Sequence, residues 1–125
     1  MDTGCTLTTI TLAAPEPLAL ARFYARLLGW AEPTTGDDDW LALRNPSGGM
    51  GLAFQAEPTH VPPVWPQGTG TQQMQAHLEI RVDDLDAGVA HALSCGARLA
   101  AFQPQDDVRV CLDPAGHPFC LWIED

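Results

Sequence analysis

His77 and Glu79 stand two residues apart in a stretch rich in Leu, Ile and Val. An imidazole exchanges a proton near neutral pH, and a neighbouring carboxylate can orient it or act as a base. In a strand, the period of two puts both side chains on one face. The plainer reading is a polar pair at the mouth of a pocket, without chemistry. Two thiols, Cys111 and Cys120, are the next candidates. If Asp113–His117 forms a hairpin turn, they oppose each other across two strands. With His77 they would make a two-thiolate, one-imidazole zinc site. Small apolar packing is the ordinary use of a buried cysteine, and that reading is adopted here.

Aromatic and cationic residues complete the candidates. Trp122 is expected on the same face as Cys120, and Trp65 lies in a Pro-rich stretch that could fold over the mouth of a pocket. Both would stack on a planar ligand. Trp30 and Trp40 read as packing residues. Arg109 could neutralise an acidic ligand, although a salt bridge to Asp106 or Asp107 is the simpler use of it. His60, His91 and His117 fall on a connecting segment, a helix and a turn, where solvated histidine is the default. The sequence carries no phosphate-binding glycine loop, no nucleophile–His–Asp pattern and no zinc knuckle.

The elements that must hold these residues come from an internal repeat. The segment 38–49 aligns on 106–117 without a gap, at an offset of 68 residues. Two acids, an alternating strand and an Asn/Asp-Pro-small-Gly turn recur in register. The same offset places Thr9 on His77, Leu12 on Ile80 and Glu16 on Asp84. Each copy reads as a strand, a helix and three further strands. Strands are expected over Cys5–Leu12 and Met74–Val82. Helices are expected over 17–28 and 84–95, stopped by Gly29 and Gly96. The segment 57–73, with four prolines and Trp65, is expected to be a linker or lid. Alternation predicts that Val108, Val110 and Leu112 pack against the helices together with Phe119, Leu121 and Ile123. The opposite face would then carry Arg109, Cys111, Cys120 and Trp122. In the strand opening the second copy, Leu78, Ile80 and Val82 face the helix, leaving His77, Glu79 and Arg81 on the other side.

Composition bounds the function. The 125 residues carry 6 Lys+Arg against 16 Asp+Glu, a formal net charge of −10. Nucleic acid and anionic membranes need clustered cations, so neither is expected as a partner. No apolar run is long enough for a membrane span and no signal peptide is evident. Four scattered cysteines fit reduced thiols in a cytoplasmic protein.

The sequence resembles the vicinal oxygen chelate superfamily, which contains the glyoxalases, bleomycin-resistance proteins and extradiol dioxygenases. The residues that carry the resemblance are Thr9-Ile10-Thr11-Leu12, Phe23-Tyr24, Leu28-Gly29, the run from His77 to Asp86, Gly96-Ala97, and Asp113-Pro114-Ala115-Gly116-His117-Pro118-Phe119-Cys120. The resemblance implies an α+β protein of two tandem βαβββ modules, with helices outside a curved eight-stranded cup. The whole chain, 1–125, would be one such domain: a first module over about 5–56, a linker at 57–73 and a second module over about 74–124. A homodimer is the usual assembly. Metal enzymes of the superfamily place ligands at positions that correspond here to Thr9, about Leu52, His77 and Cys120. Only His77 is a good ligand among them, so no metal and no cofactor are expected. The expectation is a metal-independent small-molecule binding protein whose cup is lined by Thr9, His77, Glu79, Arg109, Cys120 and Trp122, with Trp65 near its entrance. The alternative is an enzyme of the lyase, isomerase or dioxygenase kind, acting on a small oxygenated metabolite with His77 and Glu79 at its polar centre.

Overall fold

The computed structural model describes residues 1–33 and 35–124. The chain divides into two compact units, Met1–His60 and Val61–Asp125, and each is described by itself.

The first unit runs β1 (Thr9–Ala14), α1 (Pro17–Leu28), β2 (Thr35–Gly36), β3 (Trp40–Leu43) and β4 (Gly51–Ala56). Its sheet has the order β1-β4-β3-β2, with β1 parallel to β4 and the other pairs antiparallel. Pro17 opens α1 where a missing N–H costs nothing, and Gly29 ends it in the left-handed region at φ 69°. The inner face of α1 buries Leu20, Phe23 and Tyr24. Tyr24 stacks on Phe54 of β4 with ring centroids 5.8 Å apart. Each such burial contributes about 1.5–3 kcal/mol. β1 begins at Thr9 rather than Cys5, because its partner β4 begins at Gly51, directly opposite Thr9. Ahead of β1, the Thr8 carbonyl still accepts from the Gly51 amide of β4 at 3.0 Å.

The second unit runs β5 (Leu78–Arg81), α2 (Leu85–Cys95), β6 (Arg98–Leu99), β7 (Val108–Leu112) and β8 (Pro118–Trp122). Its sheet order, β5-β8-β7-β6, is the same arrangement as in the first unit. The two-module reading is therefore correct at the level of topology. The Asp84 side chain caps α2 by accepting from the Ala87 amide at 2.8 Å. At Gly88 a Cβ would lie 3.0 Å from Val82, so glycine lets the helix settle onto the end of β5. β5 is shorter than expected: the residue opposite His77 would be Pro118, whose nitrogen cannot donate to a ladder.

The segment 57–73 forms no helix or strand, as expected. From Val61 onward it belongs to the second unit. The Trp65 indole donates to the Phe102 carbonyl at 3.1 Å, and the two rings lie 6.1 Å apart.

The expected phase of β7 is corrected. Across β7 and β8, Val110 opposes Cys120 and Val108 opposes Trp122, whereas Cys111 opposes Phe119 and Arg109 opposes Leu121. Opposed residues share a face, so Cys111 and Arg109 lie on the Phe119–Leu121 side. Cys111 and Cys120 are therefore on opposite faces and cannot share an ion. The reason is packing: Phe119 and Cys111 are both fully buried, and a small thiol fits beside the large ring. The valines instead wall the other face.

Candidate ligand pocket on the second sheet

β5, β8 and β7 lie side by side, and their outward face carries a pocket of about 170 Å³. Parallel pairing sets Glu79 of β5 against Cys120 of β8, and antiparallel pairing sets Cys120 against Val110 of β7. His77, two residues before Glu79, joins the same face. Val108, Val110 and Pro118 make the apolar wall, and Trp65, Met74, Pro104 and Gln105 complete the lining.

The polar groups converge. His77 Nε2 and Glu79 Oε2 are 2.5 Å apart, with the side chains 32% and 52% exposed. The Cys120 sulfur lies within 4.8 Å of the Glu79 carboxylate. Burial, reinforced by the Glu79 carboxylate, pushes that thiol up to about 12. Burial alone pushes Cys111 up to about 11. Cys120 is thus a protonated thiol rather than a thiolate.

The imidazole nitrogen, carboxylate oxygen and thiol sulfur lie within 4.8 Å of one another. The trio is not legible from the family's ligand positions, because Glu79 reads in sequence as a partner of His77 and not as a neighbour of Cys120. An ion such as zinc takes a deprotonated sulfur and donors free to turn toward it. In this arrangement the sulfur keeps its proton, and His77 and Glu79 point at each other. An ion held by this trio would have to displace the thiol proton and break the His77–Glu79 contact.

The first unit carries none of this chemistry at the matching places. Thr11 opposes Ala53 as Glu79 opposes Cys120. The counterparts of His77, Glu79 and Cys120 are therefore Thr9, Thr11 and Ala53. The expected counterpart of Cys120, Leu52, is instead a buried core residue, one position out of phase.

Of the expected site residues, His77, Glu79, Cys120 and Trp65 are brought together. Trp122 lies on the Cys120 face, opposite Val108, but does not line the pocket. Arg109 lies on the other face. Its guanidinium donates to the carbonyls of Gln105, Asp106 and Val108 rather than to the carboxylates of Asp106 or Asp107. Thr9 belongs to the first unit, where it lines a cleft of about 540 Å³ with Arg44, Asn45 and Gly51. Met74 and Gln105 carried no signal in the sequence beyond their nearness to His77 and Arg109.

A glyoxalase-like domain family matches residues 9–122. Among solved structures, a glyoxalase/bleomycin resistance protein/dioxygenase family enzyme from Burkholderia phytofirmans PsJN is similar, with a TM-score of 0.68 and 18% identity over 95% of this chain and 98% of that one. A glyoxalase/dioxygenase from Nostoc punctiforme has a TM-score of 0.68 and 21% identity over 100% of this chain and 96% of that one. An antibiotic binding protein from Streptomyces sp. CB03234 has a TM-score of 0.65 and 16% identity over 100% of both chains. No curated protein matches the chain. Among the described residues, no helix is long and apolar enough to cross a membrane.

Proposed function

The chain belongs to the glyoxalase-like family of the vicinal oxygen chelate superfamily, and from that premise we propose that it is a metal-independent small-molecule binding protein. The observation that carries this reading is the pocket itself: an apolar wall, one indole, and a compact polar set in which each member already has a partner. Such a lining favours holding a ligand in a fixed orientation. The antibiotic binding named for the Streptomyces relative is a role of this kind. In this reading Trp65 stacks on the ligand, the His77–Glu79 pair and Cys120 orient it, and the protein acts as a cytoplasmic homodimer.

A second reading is favoured by one observation, the 2.5 Å contact between His77 and Glu79. A carboxylate that orients an imidazole is the arrangement of a general base. In that case the protein is an enzyme on a small oxygenated metabolite, and His77→Ala would abolish turnover while leaving binding largely intact.

A ligand screen by thermal shift and Trp fluorescence, repeated on Trp65→Ala and His77→Ala, tests the binding reading. A ligand whose affinity ignores both substitutions would place the site elsewhere. Elemental analysis after dialysis tests metal independence, and near-stoichiometric zinc, nickel, manganese or iron would overturn it.

A further inference from the structure

The pocket has spent most of its hydrogen-bond donors on itself. In a neutral imidazole one ring nitrogen carries a proton, and the contact with Glu79 fixes it on Nε2. The Cys120 thiol faces the Glu79 carboxylate from the neighbouring strand. Trp65 commits its indole N–H to the Phe102 carbonyl. What these side chains still offer is mainly acceptors: the remaining lone pairs of Glu79 and, when the imidazole is neutral, the Nδ1 lone pair of His77, while the Gln105 amide offers both kinds.

The charge follows the same pattern. No arginine lines the pocket, and the chain has no lysine. The register of β7 turns Arg109, which sequence alternation puts on this face, to the other side, where its guanidinium is held by backbone carbonyls. Arg81, on the Glu79 face of β5, lies outside the lining and pairs with Glu124 at 3.5 Å. Glu79 is the one carboxylate of the lining, and no arginine lines the pocket with it. An incoming anion would meet like charge, with the Gln105 amide as the main uncommitted donor. An incoming cation would meet a carboxylate and free lone pairs, which make the stronger class of hydrogen bond. Size narrows the ligand further. The volume of about 170 Å³ is close to the ~150 Å³ of an apolar cavity that takes one benzene ring.

We propose that this pocket selects a single aromatic ring bearing a cationic amine on a short arm, and discriminates against a carboxylate of the same shape. The proposal rests on the pocket being the ligand site. The ring lies between Trp65 and the Val108–Val110 wall, and the ammonium donates to Glu79 and to His77 Nδ1.

Three probes that share a phenyl ring and a two-carbon arm test this on the full chain: 2-phenylethylamine, 2-phenylethanol and 3-phenylpropionate. Affinity is read from chemical-shift changes of the Trp65 indole N–H. The amine is expected to bind at least about tenfold more tightly than the carboxylate, with the alcohol between them. Glu79→Gln, checked for native folding by near-UV circular dichroism, is expected to bring the three affinities within about twofold. Equal or tighter binding of the carboxylate by the native protein overturns the proposal and leaves the pocket standing as the site. If none of the three moves the Trp65 resonance at millimolar concentration, both the proposal and the pocket reading fail.

Discussion

Val110 and Cys120 stand directly opposite each other across β7 and β8, and both side chains line the pocket. Their chain neighbours, Cys111 and Phe119, oppose each other on the far face and are fully buried. Alternate residues of one short strand therefore serve two ends. One set walls a site, and the other fills the space between sheet and helix. A slip of one residue would exchange the two sets completely.

That relationship predicts an asymmetry between adjacent positions. Cys111→Leu forces extra atoms into a closed space beside Phe119 and should destabilise the protein by about 1–3 kcal/mol. Val110→Leu grows into the pocket and should cost less than about 1 kcal/mol, while weakening binding of any ring-sized ligand. Urea unfolding of the two variants measures the difference. The opposite ranking would mean that β7 presents its other face.

Much of this fold is legible in the sequence because its signals are local. The Asn45-Pro46 and Asp113-Pro114 turns, the helix stops at Gly29 and Gly96, and the repeat itself give the element order. The face of β5 is legible too, since Leu78 and Ile80 alternate with polar residues. The phase of β7 is not, because both of its faces are apolar or mixed, and alternation then favours the more hydrophobic set. A better signal was present in the repeat. The offset of 68 lays Leu41 and Leu43 on Arg109 and Cys111. Leu41 and Leu43 oppose Phe54 and Leu52, on the face that packs against α1. The place of Cys120 is lost for a related reason. The spacing between the modules shortens by one residue before β8, which no gapless alignment can show.

Thiol reactivity should follow burial and protonation. Cys5 is exposed, Cys120 half-buried, and Cys95 and Cys111 buried. Only a thiolate attacks an alkylating agent, and Cys120 and Cys111 are pushed up to about 12 and about 11. With iodoacetamide at pH 8, peptide mass spectrometry should show Cys5 modified first and Cys120 far more slowly. Cys95 and Cys111 should be modified only on unfolding. Rapid modification of Cys120 would show that its thiol is ionised and would undo the description of the pocket as holding a protonated thiol.

The same two thiols make stability depend on alkaline pH. An unfolded cysteine ionises near 9.0, whereas the folded protein holds Cys111 at about 11 and Cys120 at about 12. Above pH 9 the folded state therefore binds more protons than the unfolded state, and stability falls as pH rises. Below pH 9 neither thiol contributes. The slope contributed by Cys111 is on the order of 1 kcal/mol per pH unit between the two values. Urea midpoints at pH 8, 9 and 10 should decline, and Cys111→Ala should flatten part of that decline despite its lower starting stability.

Asp113 is the buried acid that joins β7 to β8, at 1% exposure. Its Oδ1 accepts from the Ala115 and His117 amides, each at 2.9 Å. Its own amide donates to the His117 carbonyl at 3.0 Å, and its carbonyl accepts from Gly116 at 2.8 Å. One side chain thus holds the turn that fixes which residues of the two strands oppose each other. Asp113→Ala removes the bonds that the Ala115 and His117 amides make to Oδ1, at a cost of about 2–4 kcal/mol. Asp113→Asn keeps one carbonyl oxygen and should cost markedly less. Urea unfolding gives the two costs, and hydrogen exchange reports the mechanism. The Ala115 and His117 amides should exchange faster in the alanine variant and remain protected in the asparagine variant. Equal costs with unchanged exchange would show that the carboxylate does not hold this turn, and that the β7–β8 register is set by the packing of Cys111 against Phe119 alone.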